Sequence, residues 1–323
     1  MKVLIIRLGA IGDVVHATII ADMIKNSDDS SVVDFLSAKY ITDLLNVQKS
    51  VRKTFPFDLS KKDNLLYLTK LGLELRKEKY DIVFVLTNSF RCWYLTRIIN
   101  PKKIIPRNKL VNGIEGFYTT GLKLSSDFKK PKKQNFQISD ELKSKVAKYL
   151  GDGESPIVVF NPCGLNDKRR QGRTWRDTYW IELGNKLSEK YGARIFVTGS
   201  KEEAQVHQIY SAIKGAVILS GQLSLLESAS VFASANLVIA GDSGPVHISA
   251  AVGAKTLSLL GSTGANVGAP YGENGYYIDS NFECRHCEQK KCKLLKDGEK
   301  YTPCMDAITP DTVLKFIEKE NLL

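Results

Sequence analysis

Short apolar runs alternate with amphipathic segments along nearly the whole chain, and this alternation limits the fold more than any other feature. Apolar runs with the length of buried strands occupy residues 2–6, 32–36, 80–86, 157–160, 194–198, 216–219, 237–240 and 256–260. Helical spacing of apolar residues marks the segments 14–24, 41–47, 65–79, 175–191, 224–235, 245–252 and 310–319. Strands separated by helices pair in parallel, in sheets covered on both faces. The sequence therefore predicts an α/β fold with mainly parallel sheets.

The chain is long enough for two domains, since 323 residues can form two separate cores. Ser, Lys and Pro accumulate over residues 125–156, and the strand and helix alternation restarts after this segment. We therefore expect an N-terminal domain over residues 1–152 and a C-terminal domain over residues 153–323. The last helix, at about 310–321, is a candidate for packing back on the first domain.

The composition is that of a globular protein, with 43% hydrophobic and 25% charged residues. No run approaches the ~18 uncharged residues of a membrane-spanning helix. Arg7 and Asp13 interrupt the apolar N-terminus, which differs in this way from a signal peptide. These features predict a cytoplasmic protein, whose six cysteines are expected as thiols or metal ligands before disulfides.

Positive charge is concentrated in one segment. Residues 49–133 contain 20 Lys and Arg against 7 Asp and Glu, whereas residues 134–323 contain 22 of each kind. Such an excess suggests an anionic partner, either a phosphorylated glycolipid, an anionic membrane face or nucleic acid, with a merely solvated lysine surface as the alternative. Arg91, just past the strand at 80–86, is well placed to contact phosphates of such a partner. Further candidates in this patch are Lys102, Lys103, Arg107 and Lys109.

Two strand-to-helix corners carry residues suited to chemistry. The first, Gly9-Ala-Ile-Gly12-Asp13, lets the backbone approach a ligand at a helix N-terminus, and Asp13 is either an N-cap or a general base. The second places Asp242, Ser243 and Gly244 before Pro245, a residue suited to the first helical position. It presents a carboxylate, a hydroxyl and N–H groups together, which suits a sugar diphosphate, with an ordinary capped helix as the alternative.

Four cysteines occur within 21 residues near the C-terminus, in the spacing Cys284-x2-Cys287-x4-Cys292-x11-Cys304. Four thiolates at short spacings suit a structural zinc or an iron–sulfur centre. Reduced thiols without a ligand are the equal alternative, because the pattern is not a clean pair of C-x-x-C motifs. Cys92 and Cys163 are isolated and are expected to be packing residues.

Several segments of the chain, taken in sequence order, resemble those of the ADP-heptose:lipopolysaccharide heptosyltransferases of glycosyltransferase family 9. The resemblance rests most on residues 242–247 with Gly253 and the segment 261–263, which look like the donor-binding signature of that family. Residues 7–13 resemble its N-terminal loop, and Tyr80-Asp81-Ile-Val its second internal strand. Further weaker matches are Asn161-Pro162, Arg173-Thr-Trp175 and Gly199-Ser with Glu202-Glu203.

The resemblance implies a GT-B architecture, in which two Rossmann-like domains face each other across a cleft. The acceptor would bind mainly to the first domain and the nucleotide sugar, expected to be ADP-heptose, to the second. The implied reaction is an inverting, metal-independent transfer of heptose to a lipopolysaccharide inner-core or related acceptor, with Asp13 as the base. No cofactor is expected for catalysis, since the chain contains no Asp-x-Asp pair.

Individual roles follow from the resemblance together with residue chemistry. The expected donor-binding residues are Arg173, Asp242, Ser243, Gly244, Thr263, His247 and Glu203. Gly9, Gly12, Arg91, Arg169 and Arg170 are expected on the phosphate or acceptor side. Arg173 is the first choice for the diphosphate because a guanidinium matches paired phosphate oxygens. His247 is equally well interpreted as a buried structural histidine.

Three alternative functions stand beside heptose transfer. The first is a transferase of the same fold that uses another sugar or acceptor, and the second is a sugar-nucleotide binder without catalysis. A third is a basic, metal-stabilised nucleic-acid-binding protein, although no recognised module of that kind is visible. We therefore expect an anionic glycolipid acceptor, peripheral contact with the cytoplasmic face of the inner membrane, and no nucleic acid partner.

Overall fold

The computed structural model describes residues 1–108, 110–162, 172–287, 292–296 and 299–323. The chain forms two compact units, Met1–Gln137 and Ile138–Leu323. This boundary lies earlier than the one expected after residue 152, because the helix Asp140–Leu150 packs on the helix Leu225–Ala233 of the second unit. No helix in the described ranges has the length and apolar character to cross a membrane.

The first unit alternates strands and helices as the apolar pattern predicts. Its strands are β1 (Lys2–Ile6), β2 (Val32–Ala38), β3 (Lys53–Phe57), β4 (Ile82–Val85) and β5 (Lys103–Pro106). Its helices are α1 (Ile11–Ala17), α2 (Ile19–Ser27), α3 (Thr42–Leu45), α4 (Leu65–Arg76), α5 (Phe90–Ile99) and α6 (Gly113–Gly121). The single helix expected over 14–24 is two helices, which meet at Thr18, whose hydroxyl donates to the Val15 carbonyl at 2.7 Å.

All five strands of the first unit are parallel and lie in the order β3-β2-β1-β4-β5. β1 is central because its residues Val3 to Ile6 are completely buried and helices cover the sheet. The chain moves outward from β1 in one direction through β2 and β3, then returns to the other side with β4. The strand order therefore reverses between β1 and β4.

The second unit repeats this arrangement. Its strands are β6 (Ile157–Asn161), β7 (Arg194–Val197), β8 (Val217–Ile218), β9 (Leu237–Gly241), β10 (Thr256–Leu260) and β11 (Gly275–Asp279). Its helices are α7 (Asp140–Leu150), α8 (Asp177–Tyr191), α9 (Leu225–Ala233), α10 (Gly244–Ala251), α11 (Ala265–Gly268), α12 (Pro303–Asp306) and α13 (Pro310–Lys319).

The six strands are parallel in the order β11-β10-β9-β6-β7-β8, so the order reverses between β6 and β9. Trp175 and Trp180 fill the core against Phe160, with ring centroids 4.9 Å apart for the tryptophan pair. The terminal helix α13 packs on α8, and its Val313 and Ile317 belong to the hydrophobic core of this unit.

Candidate active site

The corner between β1 and α1 contains the predicted base Asp13. Arg7, the residue after β1, forms an ion pair with Asp13 Oδ2 and donates a hydrogen bond to the Leu86 carbonyl at 2.8 Å. Leu86 follows β4, so Arg7 joins the carboxyl ends of the two strands between which the strand order reverses. Ligands of open parallel sheets bind at such positions. Asp13 therefore lies at the ligand-binding edge of the first unit.

Asp13 is not the N-cap of its helix. Helix α1 begins at Ile11 and is preceded by Ala10 as N-cap, so the interpretation of Asp13 as a capping residue is wrong. Gly9 precedes the helix and Gly12 lies in its first turn. The side chain of Asp13 is 34% exposed, which leaves it accessible to a ligand that approaches this corner.

Arg91 lies in the first turn of α5, near the carboxyl end of β4, as the sequence predicts. Its Nε donates to Asp63 Oδ1 at 2.8 Å, and both side chains are exposed. Exposed pairs of this kind are weak, since solvent screens both charges. Asp63 would therefore compete only weakly with an anionic ligand for Arg91, and the acceptor role of Arg91 stays a prediction.

In the second unit, the corner after β9 brings Asp242 against Arg173. The carboxyl group of Asp242 is nearly inaccessible to solvent, and its Oδ2 lies 3.1 Å from Arg173 Nε. The contact has the distance of an ion pair without the alignment of a hydrogen bond. Because β9 adjoins β6 where the strand order reverses, this ion pair also lies at the switch point of its sheet.

The neighbours of Asp242 form a small polar corner. Ser243 occupies the N-cap position of α10, but its Oγ donates back to the Gly241 carbonyl at 3.1 Å and leaves the helix start uncapped. Gly244 is the first residue of that helix. Thr263 is buried, and its Oγ1 has no hydrogen-bond partner among the residues that the structure describes. The corner therefore offers N–H groups beside the carboxylate of Asp242, and Thr263, in the loop after the neighbouring strand β10, adds a hydroxyl at the same edge of the sheet.

Comparison with known proteins identifies the family. The sequence model of glycosyltransferase family 9 (heptosyltransferase) matches residues 117–297, which is more than half of the chain. The chain belongs to glycosyltransferase family 9. A curated relative, lipooligosaccharide heptosyltransferase 2 of Campylobacter jejuni, is 26% identical over 303 residues, covering 90% of each chain. This family 9 transferase is therefore an enzyme, as the sequence predicts.

Two solved structures share the fold of the transferase over its whole length. The structure of E. coli ADP-heptose lps heptosyltransferase II is 19% identical with a TM-score of 0.79, covering 100% of this chain and 98% of that one. E. coli heptosyltransferase WaaC with ADP is 18% identical with a TM-score of 0.74, covering 99% of both chains. The predicted fold class, two Rossmann-like domains of the GT-B type with parallel sheets, is confirmed.

The remaining predicted donor-side residues of the transferase, His247 and Glu203, follow strands of the second sheet, whereas Arg169 and Arg170 belong to the predicted phosphate or acceptor side. His247 is buried one turn into α10. Glu203 follows β7, and its carboxylate accepts a hydrogen bond from the Ser200 backbone N–H at 2.9 Å. Arg169 and Arg170 lie outside the described residues. The donor roles of His247 and Glu203 stay predictions.

One glycine near the site has a role that sequence reasoning missed. A Cβ on Gly268 would lie 3.1 Å from Asp242 Cγ and 2.7 Å from a methyl carbon of Leu260. Such distances are shorter than ordinary van der Waals contact, so a larger residue would push on the carboxyl group. Gly268 thus makes room for Asp242 in the transferase.

The described part of the cysteine segment of the transferase does not form a recognisable ligand set. Cys284, Cys287 and Cys304 form no disulfide, and no three His, Cys, Asp or Glu side chains are grouped as metal ligands in the described residues. Cys284 is exposed whereas Cys304 is buried. Burial raises the pKa of the Cys304 thiol, and the neighbouring Cys284 and Cys292 raise it further. The described residues therefore do not support the predicted zinc or iron–sulfur site.

Arg7 belongs to the motif of residues 7–13, which gives it no separate role, yet its side chain contacts both Asp13 and the Leu86 carbonyl. Burial is the main cause that lowers the pKa of Arg7, and the charge of Arg107 lowers it further, while Asp13 opposes both effects. Arg7 and Arg107 are far apart in the sequence but close in space. Their proximity follows from the pairing of β1, β4 and β5, which local patterns do not reveal.

Proposed function

We propose that this transferase moves a heptose from ADP-heptose to a lipopolysaccharide inner-core or related glycan acceptor, with inversion at the anomeric carbon. The observation that carries the proposal is the contact between Asp242 and Arg173 at the switch point of the second sheet. Sugar hydroxyls donate to carboxylates, and diphosphates accept hydrogen bonds from guanidinium groups and helix N-termini. The name of the relative agrees with heptose transfer, and the names of the two solved structures, which give ADP-heptose and ADP, agree with an adenosine diphosphate donor.

In this proposal Asp242 accepts hydrogen bonds from donor hydroxyls, and Arg173 binds the diphosphate. The two side chains are paired with each other in the structure, so donor binding exchanges one ion pair for contacts with the ligand. The N–H groups of Ser243 and Gly244 and the hydroxyl of Thr263 complete the phosphate contacts. The corner thereby selects a ligand with hydroxyls and phosphates close together.

Asp13 is the proposed general base. It takes the proton from the attacking acceptor hydroxyl while that oxygen forms a bond to the anomeric carbon of the donor. The bond between that carbon and the phosphate oxygen breaks, and the electron pair leaves with ADP. Arg7 holds Oδ2 of Asp13, which fixes the orientation of the carboxyl group during this step. A single displacement inverts the anomeric centre.

The charge that develops on ADP is neutralised by Arg173 and the start of α10 in this proposal, without a divalent ion. Preorganised cationic groups and helix N-termini stabilise such charge without moving during the reaction. The proposal therefore expects turnover in the presence of a chelator. Membership of glycosyltransferase family 9 favours sugar transfer over nucleic-acid binding as the function of the chain.

We also propose peripheral contact with an anionic membrane face. Leu66 and Phe90 are 79% and 73% exposed, at the first turns of α4 and α5. These turns are adjacent, because Arg91 pairs with Asp63 and Thr69 Oγ1 lies 2.8 Å from Tyr94 Oη. Exposed apolar side chains within a basic segment are typical of proteins that bind at the membrane interface. The contact and the cytoplasmic location stay predictions.

A panel of nucleotide sugars tests the proposed function. Thermal unfolding should show stabilisation by ADP-heptose, and turnover with an inner-core acceptor should give the inverted anomer by NMR. Asp13→Ala should keep the donor-induced stabilisation and lose turnover by about 100-fold or more, because general base catalysis contributes 10²–10⁴-fold. Asp242→Asn should lose the stabilisation by the donor.

Asp43→Asn is the matched control, since Asp43 is an exposed acidic residue of α3 outside both corners. It should leave stabilisation and turnover unchanged. Unchanged turnover in Asp13→Ala would exclude the base assignment. Preference for a different nucleotide sugar would keep the fold and the mechanism but exclude ADP-heptose as donor.

A further inference from the structure

Residues 300–308 form a segment, which we call the brace, that packs against the chain directly after Arg173. The indole Nε1 of Trp175 donates a hydrogen bond to the Ile308 carbonyl at 2.6 Å. Trp175 is 1% exposed and belongs to the hydrophobic core of the second unit, so this bond is shielded from water. A buried bond of this kind is costly to break, because the carbonyl would lose its partner without gaining one from the solvent. The end of the brace is therefore fixed to a residue two positions after Arg173.

The next residue along the chain makes a second contact with the brace. The guanidinium of Arg176 donates two hydrogen bonds, from Nε and Nη2, to the two carboxylate oxygens of Asp306 in helix α12. Such a bidentate pair fixes the relative orientation of both side chains as well as their distance. The guanidinium carbon of Arg176 also lies 5.0 Å from the ring centroid of Tyr301, within the range of a cation–π contact. Arg176 thus contacts two separate residues of the brace.

Asp177, the first residue of α8, makes a third contact. Its Oδ1 accepts a hydrogen bond from Tyr210 Oη at 2.7 Å, and its Oδ2 accepts from Tyr301 Oη at 2.6 Å and from Lys300 Nζ at 3.0 Å. Burial alone would raise the pKa of Asp177, but these hydrogen bonds outweigh burial and hold the pKa below its ordinary value. The brace therefore binds an ionised carboxylate, and hydrogen bonds to a charged group are stronger than those between neutral groups.

The chain before Arg173 is held by a loop that the brace also contacts. The Gly172 carbonyl accepts hydrogen bonds from the Ser262 backbone N–H at 3.0 Å and from Ser262 Oγ at 3.3 Å. Met305 of the brace packs against the preceding residue, since a Cβ on Gly261 would lie 2.5 Å from Met305 Sδ and 2.5 Å from the Gly172 oxygen. A larger residue at position 261 would push on both groups. Arg173 is therefore held on both sides, and the brace supports each side.

We infer that the brace positions Arg173 for the donor diphosphate, with Asp306 and Tyr301 as positioning residues. The inference rests on the proposed function, in which Arg173 binds the diphosphate. The side chain of Arg173 is 31% exposed, and a long side chain has many rotamers, so the backbone beneath it decides what its guanidinium can reach. A backbone fixed on both sides keeps the guanidinium beside Asp242. Less conformational entropy is then lost when the diphosphate binds.

Calorimetric titration of the full-length enzyme with ADP tests this assignment, because ADP carries the diphosphate without the sugar. Arg173→Ala should raise the Kd for ADP roughly 10- to 100-fold, since it removes hydrogen bonds to a charged group. Asp306→Ala should raise the Kd about fivefold, the size typical of coupling between neighbouring residues. Tyr301→Phe removes only the hydroxyl that binds Asp177 and should also raise the Kd, which keeps the test valid if Asp306→Ala does not fold.

A combination of variants distinguishes positioning from a general structural effect. If Asp306 acts through Arg173, Asp306→Ala should cause no further loss of ADP affinity in the Arg173→Ala background, because coupled residues are not additive. In steady-state kinetics Asp306→Ala should raise KM for ADP-heptose and leave KM for the acceptor unchanged. The matched control is Glu318→Ala, which breaks an ion pair between α13 and Lys190 of α8 and should bind ADP like the parent.

The outcomes separate the role of the brace from the proposed function. A parent enzyme that does not bind ADP excludes the proposed function. A parent that binds ADP while Asp306→Ala and Tyr301→Phe keep the parental Kd excludes only the positioning role. A loss in Asp306→Ala that persists in the Arg173→Ala background, or an equal rise of both KM values, would also overturn that role, because the substitution would then act without Arg173.

Discussion

A buried carboxyl group in the first unit gives the chain a pH-dependent stability that can be worked out from its contacts. Asp22 of α2 is 1% exposed, and its Oδ1 accepts hydrogen bonds from Gln48 Nε2 at 2.7 Å and Ser50 Oγ at 2.6 Å. Burial is the dominant effect and raises the pKa of Asp22 to about 6, against an ordinary value of 3.8, while the hydrogen bonds oppose it. Asp22 is therefore protonated in the folded chain at mildly acidic pH.

The sign of the effect follows from where the proton is bound. Between pH 3.8 and about 6 the folded chain keeps a proton that the unfolded chain has lost, so the free energy of unfolding falls as the pH rises through this range. The stabilisation is complete below pH 3.8 and is lost above about 6. Its size is about 3 kcal/mol, from about 1.4 kcal/mol for each pH unit between the two pKa values.

Asp22→Asn should remove this dependence. The amide oxygen keeps the two bonds from Gln48 and Ser50, and only the longer contact from the Asn135 N–H to Oδ2, at 3.3 Å, is lost. At pH 7 the variant avoids the cost of about 3 kcal/mol for the buried charge and loses about 1 kcal/mol with the Asn135 contact, so we expect it to be about 2 kcal/mol more stable than the parent. Below pH 4, where Asp22 is protonated in the folded parent, only the lost contact counts, and the variant should be slightly less stable.

Hydrogen exchange of the β1 amides in the full-length chain measures the unfolding free energy of the first unit, and pH values of 4, 5, 6 and 7 span the titration. Asp43→Asn, at an exposed position of α3, is the control and should follow the parent at every pH. Parallel curves for Asp22→Asn and the parent between pH 4 and 6 would refute the reasoning. They would mean that Asp22 ionises alike in the folded and unfolded chains.

Two further predictions concern the surface of the protein. The double variant Leu66→Ser and Phe90→Ser should lower binding to vesicles that contain anionic lipids by roughly tenfold, measured by cosedimentation, because it removes two exposed apolar side chains. The control Ile209→Ser, at an exposed apolar residue of the second unit, should leave vesicle binding unchanged. Equal losses in both variants would contradict the proposed membrane contact of Leu66 and Phe90. A thiol reagent should label the exposed Cys284 first and the buried Cys92 and Cys304 last, measured by mass spectrometry of the labelled peptides, because burial raises the pKa of both buried thiols. Protection of all four C-terminal cysteines until a chelator is added would instead show that a metal holds them.

The sequence predicted the central strands and the edge strand β8 but missed the other three edge strands, for a physical reason. β1, β4, β6, β9 and β10 are buried on both faces and therefore read as continuous apolar runs. The missed strands β3, β5 and β11 all lie at sheet edges, where one side faces solvent and the sequence mixes polar residues with apolar ones. β3 even contains Pro56, which a sheet tolerates at an edge because no N–H is needed there.

The positions of the candidate site residues in the fold were predictable where these residues lie in a corner that directly follows a strand. Asp13 and Asp242 both lie in short strand-to-helix corners, and the motif around each is local in the sequence. The partners that complete the corners could not be predicted, since Arg107 reaches Arg7 and Gly268 reaches Asp242 only after the sheets have formed. A positive charge in a basic segment and a glycine in a short helix give no local signal of these contacts.

The two units use one topology for two different chemical tasks. In each sheet the strand order reverses beside the first strand of the unit, β1 in one and β6 in the other. The candidate base Asp13 follows the first strand of its unit, whereas Asp242 follows the strand on the other side of the reversal. Each carboxylate is nevertheless paired with an arginine, Arg7 or Arg173. Because the pairs differ in burial of the carboxyl group, with Asp13 34% exposed and Asp242 only 4%, the first is suited to exchange a proton with an arriving hydroxyl. Asp242 lies beside the Arg173 guanidinium in a nearly inaccessible position, which suits its proposed role of accepting hydrogen bonds from a bound sugar. The difference in exposure thus agrees with the proposed division, proton transfer at one corner and sugar binding at the other.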